Sequence, residues 1–253
     1  LSFEELKEKA KDLRVFARVS PENKVSIVKA FQANGNICAM TGDGVNDAPS
    51  LKASDIGIAM GITGTDVAKS SADVVLTDDN FASIEKAVEE GRSIYANIKK
   101  TVLFLLSSNI AEVLAMFIVI CIGFPSPFIA IHLLWINLIT DSLPAIALGM
   151  DPKDPNAMKE KPRDAKESLF AHGGYLTTIG YGAVITISVL IAYLSGFWVN
   201  GIYSYSDIVN VASNSPILLQ ARTMAFVALA FSEIFHMVGV SDQNRSFINV
   251  YKN

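Results

Sequence analysis

The chain has 253 residues, a net charge of −4 that mixes both signs and two cysteines, so composition gives no electrostatic reason for nucleic-acid binding and no disulfide framework. Half of it is apolar (51%) and its mean hydropathy is +0.36, which fits a soluble domain joined to membrane spans. Residues 1–100 hold 13 of the 21 Lys and Arg and 15 of the 25 Asp and Glu, and the remainder carries long apolar runs, so the first part reads as soluble and the second as membrane-embedded.

In chain order, Leu1 to Lys11 is a mixed-charge amphipathic stretch without the apolar core of a signal peptide, and position 1 is not Met, which is read as a sign of a fragment. Ser20-Pro21 announces a helix, with Ser20 as cap and Pro21 in the first turn, ending near Gly35. A short buried strand is expected over 36–40, leading into Thr41-Gly42-Asp43-Gly44, and two more over 56–60 and 73–76. Strands alternating with helices predict a parallel α/β sheet.

From Phe81 a helical pattern runs unbroken through Lys99-Lys100 into an apolar run, so one helix is expected to lead from a stalk (81–100) into the membrane. Spans are expected over 101–123, 128–149, 175–199 and 221–240, each long enough for a bilayer. Four spans put both ends on one side. Lys99, Lys100, the loop with Lys153, Lys159, Lys161, Arg163 and Lys166, and the tail with Arg245 and Lys252 mark that side as cytoplasmic, while residues 200–220 carry no Lys or Arg and Arg222 stands alone near the outer edge. Cys38 and Cys121 fall in different environments and read as small hydrophobes.

Two groups of residues carry chemistry. Asp43 and Asp47 flank Gly44-Val45-Asn46 just after a strand, where α/β sheets collect ligands. Two carboxylates and an amide there suit Mg²⁺, which needs only one or two protein carboxylates when waters and phosphate oxygens complete its shell. In the apolar half, Glu112, Asp141 and Glu233 each lie near the middle of an expected span, and ionisable groups so placed are costly enough to mark an ion path. Asn109 and Glu112 are three apart, and Asn137, Thr140 and Asp141 are spaced by three and four, so each set shares one helix face. Their carboxylate, amide and hydroxyl oxygens are the hard ligands Ca²⁺ takes in numbers of six to eight. Pro144 removes the N–H that would bond the Thr140 carbonyl and loosens the helix beside them.

The nonapeptide Thr41-Gly42-Asp43-Gly44-Val45-Asn46-Asp47-Ala48-Pro49 resembles the hinge motif of P-type cation-transporting ATPases, members of the haloacid dehalogenase superfamily. Phe16-Ala17-Arg18-Val19-Ser20-Pro21-Glu22-Asn23-Lys24 is similar to the upstream segment whose lysine contacts phosphate in that family. Ser107 to Val113 and Trp135 to Ala145 look like the fifth and sixth helices of calcium pumps of the sarcoplasmic-reticulum type.

The resemblance implies a haloacid-dehalogenase-like α/β fold for a partial phosphorylation domain (1–80), followed by an α-helical transmembrane bundle (101–253). It implies Mg²⁺ at Asp43 and Asp47, phosphoryl placement by Lys24 and Asn46, catalysis by Lys24, Asp43, Asn46 and Asp47, and transported Ca²⁺ at Asn109, Glu112, Asn137, Thr140, Asp141 and Glu233. The family's Asp-Lys-Thr-Gly-Thr motif is absent, so the chain is expected to be the carboxy-terminal part of a multi-pass ATP-driven pump. The phosphorylated aspartate, most of the ATP site, the first four membrane helices and the last two would then be supplied by residues outside it, and the chain alone would not turn over ATP. Rival readings are a Na⁺, K⁺ or Mn²⁺ pump of the same class and a truncated membrane protein without turnover. A tethered phosphatase is disfavoured, because no Asp-x-Asp nucleophile motif occurs.

Overall fold

A computed structural model describes residues 2–164, 167–171 and 173–241, so Lys166 and the tail residues Arg245 and Lys252 lie outside the described residues. The chain falls into two compact units divided between Glu89 and Glu90.

The first unit opens with α1 (Phe3–Lys9) and α2 (Pro21–Ala33), which begins as the sequence dictates: Ser20 accepts from the Asn23 amide at 3.4 Å and Pro21 occupies the first turn. Gly35 follows with φ +84°, a left-handed turn that suits glycine. Then come β1 (Ala39–Gly42), α3 (Ala48–Ala53), β2 (Ile56–Met60), α4 (Asp66–Ser71) and β3 (Val74–Leu76). The sheet is parallel in the order β1-β2-β3, pairing Thr41 with Ile58 and Ile58 with Val74. Leu51, Ala59 and Ala68 form its buried core with Met40 and Ala72 packed against them.

The first strand lies later than the expected 36–40, and its opening residues are not buried. The Cys38 amide donates to the Asp55 carboxylate at 2.8 Å, and the Cys38 carbonyl accepts from Asp55 and Ile56. A side chain and a turn therefore hold residues that hydrophobicity assigns to the strand, and Ile37 stays 61% exposed.

Helix α5 (Phe81–Cys121) is unbroken for 41 residues, about 60 Å at the α-helical rise. The second unit continues with α6 (Ala130–Trp135), a π-helical turn (Ile136–Asp141), α7 (Ser142–Gly149), α8 (Gly174–Trp198), a short α9 (Tyr205–Val209) and α10 (Pro216–Ser241). Four helices, Phe81–Cys121, Ala130–Gly149, Gly174–Trp198 and Pro216–Ser241, are long and apolar enough to cross a membrane. Inward-facing Ala111, Ala115, Val119, Val189, Tyr193 and Leu229 build the core. Large apolar side chains such as Val113, Phe117, Leu138 and Leu176 remain exposed on the outside, the reverse of a soluble bundle. Gly196 lets α8 approach the backbone of α10 at Ala221, where a Cβ would collide.

Pro144 sits three residues after the π-helical turn. Without the proline N–H the ladder reopens there, and the Ser142 hydroxyl donates to the Asn137 carbonyl at 3.0 Å.

Candidate functional sites

In the first unit, β1 delivers the chain to Asp43, and Val45–Asp47 turns as a single 3₁₀ turn into α3. Asp43 and Asn46 are exposed at this carboxyl end of the sheet, while Asp47 is buried. Lys24 on α2 places its ammonium 2.5 Å from Asp47 Oδ1, and the Gly44 amide approaches Oδ2 at 3.4 Å. Burial raises the Asp47 carboxyl, but the hydrogen bond and charge of Lys24 and the Gly44 amide outweigh it and hold it below the ordinary carboxylate range. Gly42 has no room for a side chain, because a Cβ there would meet the Asp47 side chain. The Asp43 carbonyl accepts from the Thr65 amide at 2.8 Å, which ties this loop to the one after β2.

This donor set fits a hard cation beside a phosphoryl group: one exposed carboxylate, one exposed amide and a fixed ammonium. The structure brings Lys24 and Asp47 into direct contact and leaves Asp43 and Asn46 facing outward.

In the second unit Asp141 and Glu233 are buried, 3% and 0% exposed, and Glu112 is 7% exposed. The Asn137 amide lies 3.4 and 3.5 Å from the two Glu112 oxygens, and Glu233 is within electrostatic range of both Asp141 and Glu112. Thr140 stands beside Glu233 but donates its proton to the Ile136 carbonyl at 3.0 Å. Both Glu233 oxygens and Asp141 Oδ1 are therefore buried without a hydrogen-bond partner. Asn109 is exposed, and its amide donates back to Leu105 at 2.7 Å, so the structure does not gather it with the others. Among the described residues, no group of three or more His, Cys, Asp or Glu forms a metal-holding cluster.

Sequence reasoning missed a neighbouring polar pair. Ser107 Oγ and His236 Nε2 share a 2.5 Å hydrogen bond, with the imidazole between the rings of Phe104 and Tyr181. The signal was available: His236 lies three residues after Glu233 on an apolar helix, hence near the same face. It missed Asp79 as well, whose carboxylate accepts from the amides of Gly61, Ile62 and Thr63.

A parallel α/β unit, followed by four helices of membrane-spanning length that bury carboxylates, defines the class: a haloacid-dehalogenase-like unit joined in sequence to an apolar helical bundle. Residues 4–55 match the haloacid dehalogenase-like hydrolases, and residues 125–253 match the family described as cation transporting ATPase, C-terminus. The chain belongs to the P-type cation-transporting ATPase family. It is 55% identical over 251 residues to calcium-transporting ATPase 1 of Bacillus cereus, which covers 99% of this chain and 28% of that protein. The calcium-transporting ATPase of Bacillus subtilis is 45% identical over 247 residues, 98% of this chain and 26% of that protein. The endoplasmic reticulum calcium ATPase srcA of Aspergillus fumigatus is 48% identical over 202 residues, 79% and 20% of the respective chains. The chain thus spans about a quarter of the length of these relatives.

Proposed function

We propose that the chain is the carboxy-terminal part of an ATP-driven pump that carries Ca²⁺ out of the cytoplasm through an aspartyl-phosphate cycle. Residues 1–80 serve as part of the phosphorylation domain, 81–100 as a stalk and 101–253 as membrane domain, with both ends of the chain cytoplasmic. The observation that carries the reading is the buried trio Glu112, Asp141 and Glu233, in which Asp141 and Glu233 hold three carboxylate oxygens without partners while Asn137 reaches Glu112 alone. Acceptors without donors in an apolar bundle call for a cation, and the relatives named above as calcium-transporting point to Ca²⁺.

Glu112, Asn137, Thr140, Asp141 and Glu233 are assigned to Ca²⁺. Asn109 is assigned with them on its spacing from Glu112, and it would have to turn inward from its exposed position, where its amide donates to Leu105, to add its side-chain oxygen. In the first unit, Asp43 offers the carboxylate for Mg²⁺, Asn46 and Lys24 place the phosphoryl group of the ATP-derived intermediate, and Asp47 holds Lys24 in reach while adding a second carboxylate near the metal. Bound Mg²⁺ would neutralise charge on the phosphoryl oxygens.

The test is phosphorylation from labelled ATP, on this chain and on the full-length protein, with Glu112→Gln and Asp141→Asn alongside. Label only in the full-length protein, requiring Ca²⁺ and lost in both variants, supports the proposal. Label that follows Na⁺, K⁺ or Mn²⁺ instead removes the calcium assignment, and label on the chain alone removes its description as a part.

A further inference from the structure

The turn between β3 and α5 contains Asp79, one of two non-glycine residues with a positive φ (49°) among the described residues. Aspartate tolerates this left-handed conformation better than most residues, but it is still an uncommon one. What accompanies it here is a full set of bonds. Asp79 Oδ1 accepts from the amides of Gly61 at 2.6 Å and Ile62 at 3.0 Å, and Oδ2 accepts from the amide and hydroxyl of Thr63 at 2.7 and 2.8 Å. These amides, Ile62 foremost, hold the Asp79 carboxyl down at about 2, so it stays charged throughout the physiological range.

The captured loop is short and tight. Gly61 also donates to the Leu76 carbonyl at 2.7 Å, and a Cβ on Gly61 or Gly64 would run into the carbonyl oxygen of Leu76 or Met60. Two residues beyond Thr63 is Thr65, whose hydroxyl caps α4 by accepting from the Ala68 amide and whose own amide donates to the Asp43 carbonyl at 2.8 Å. On the other side of Asp79, Asp78 accepts from the Ser83 hydroxyl at 2.6 Å, and Asn80 accepts from the Ala82 amide at 3.0 Å, which together fasten the first turn of α5.

We infer that Asp79 is a positioning residue for Asp43: its carboxylate pins the 61–65 loop so that the Thr65 amide fixes the backbone of the residue assigned to Mg²⁺, in the same turn that starts α5. This inference rests on the functional reading given above. A carboxylate that orients its neighbours through backbone amides acts on metal affinity without touching the metal, and losing such outer partners costs about 10- to 100-fold in affinity.

The experiment uses two variants in the full-length protein. Asp79→Gly removes the carboxylate while permitting the positive φ, and Asp79→Asn keeps one acceptor oxygen. The first readout is amide hydrogen exchange at Thr65; the second is the Mg²⁺ dependence of phosphoenzyme formed from inorganic phosphate without ATP. The expected result is at least about tenfold faster exchange at Thr65 and about a tenfold rise in half-saturating Mg²⁺ for Asp79→Gly, with smaller changes in the same directions for Asp79→Asn. Unchanged exchange at Thr65 overturns the inference. So does a fall in maximal phosphoenzyme with the half-saturating Mg²⁺ unmoved, which would mean a purely structural role. A wild type that forms no phosphoenzyme defeats the functional reading instead, and the exchange at Thr65 then decides whether the tether exists.

Discussion

Replacing Lys24 by Met should turn the buried Asp47 from a stabilised anion into a penalised one. In the folded chain the Asp47 side chain is 11% exposed and that of Lys24 is 35% exposed. The pair is thus less screened than a surface ion pair, worth about 0–1 kcal/mol, yet too open for the 3–5 kcal/mol lost when a fully buried pair is broken. Discounting for the exposure of Lys24, the coupling should be about 1–2 kcal/mol, close to tenfold in the opening equilibrium of residues 1–89. The sign with pH follows from the lowered Asp47 carboxyl: its contribution is complete above the unfolded value of 3.8 and is lost as pH falls through the lower folded value. In Lys24→Met only burial and the amides remain, so the penalty on the anion is largest at neutral pH and shrinks as acid protonates Asp47. A double-mutant cycle of Lys24→Met and Asp47→Asn, read by pulse proteolysis in urea at pH 7 and pH 4, measures it. A coupling below about 0.5 kcal/mol at pH 7, or one that grows on acidification, would refute the reasoning.

Other perturbations address the second unit. Pro144→Ala restores the N–H facing the Thr140 carbonyl and should straighten the π-helical turn, weakening Ca²⁺ binding by about tenfold on the strength of one realigned ligand group, as read by the Ca²⁺ dependence of phosphorylation in the full-length protein. Gly196→Val forces α8 away from Ala221 and should cost about 1–3 kcal/mol, while Gly180→Ala, with nothing within 4 Å of the new Cβ, should be near neutral. Thermal unfolding in detergent compares the two, and equal losses would show that the close approach is not what matters. Lys100→Met removes donations to Asp151 Oδ2 at 2.8 Å and the Ser241 carbonyl at 2.7 Å, so proteolysis near residues 149–156 should accelerate several-fold.

The elements that were legible in the sequence are those whose local chemistry is self-sufficient. The start of α2 follows from Ser20-Pro21, and β2 from an apolar run bounded by turn residues. The same serine-proline signal at Ser215-Pro216 starts α10 five residues before hydropathy opens the span at 221, with Ser215 Oγ facing the Ile217 amide at 3.3 Å. Hydropathy misses those residues because it averages over a window, whereas a cap acts at one residue. Strand β1 was misplaced because residues 37–40 are uniformly apolar after Asn36, and a carboxylate 17 residues from Cys38, that of Asp55, takes an amide that hydrophobicity assigns to the ladder. Asp79 escaped notice for the same reason: an aspartate in an Asp-Asp turn has no period and no motif, and its four partners come from a loop 16 to 18 residues earlier.

The membrane carboxylates and their polar neighbours were both read from spacing, yet the structure treats them differently, and hydrogen-bond chemistry explains the difference. A hydroxyl or amide inside an apolar helix carries its own donor and can turn back to the carbonyl four residues earlier. Asn109, Asn137, Thr140, Thr178 and Thr186 all do so, at 2.7 to 3.0 Å. A carboxylate has only acceptors, and the carbonyls around it offer no proton. Among the described residues, apart from the Ser108 hydroxyl and one ring nitrogen each of His132 and His236, the buried side-chain atoms left without partners are accordingly oxygens of Asp141 and Glu233. Helical spacing places side chains on a face; the donor inventory then selects which of them are left needing a partner that is neither backbone nor neighbour. A proton, a buried water or the cation of the proposed transport cycle would meet that need, so these oxygens, rather than the hydroxyls and amides that share their faces, are where the proposed ion would act.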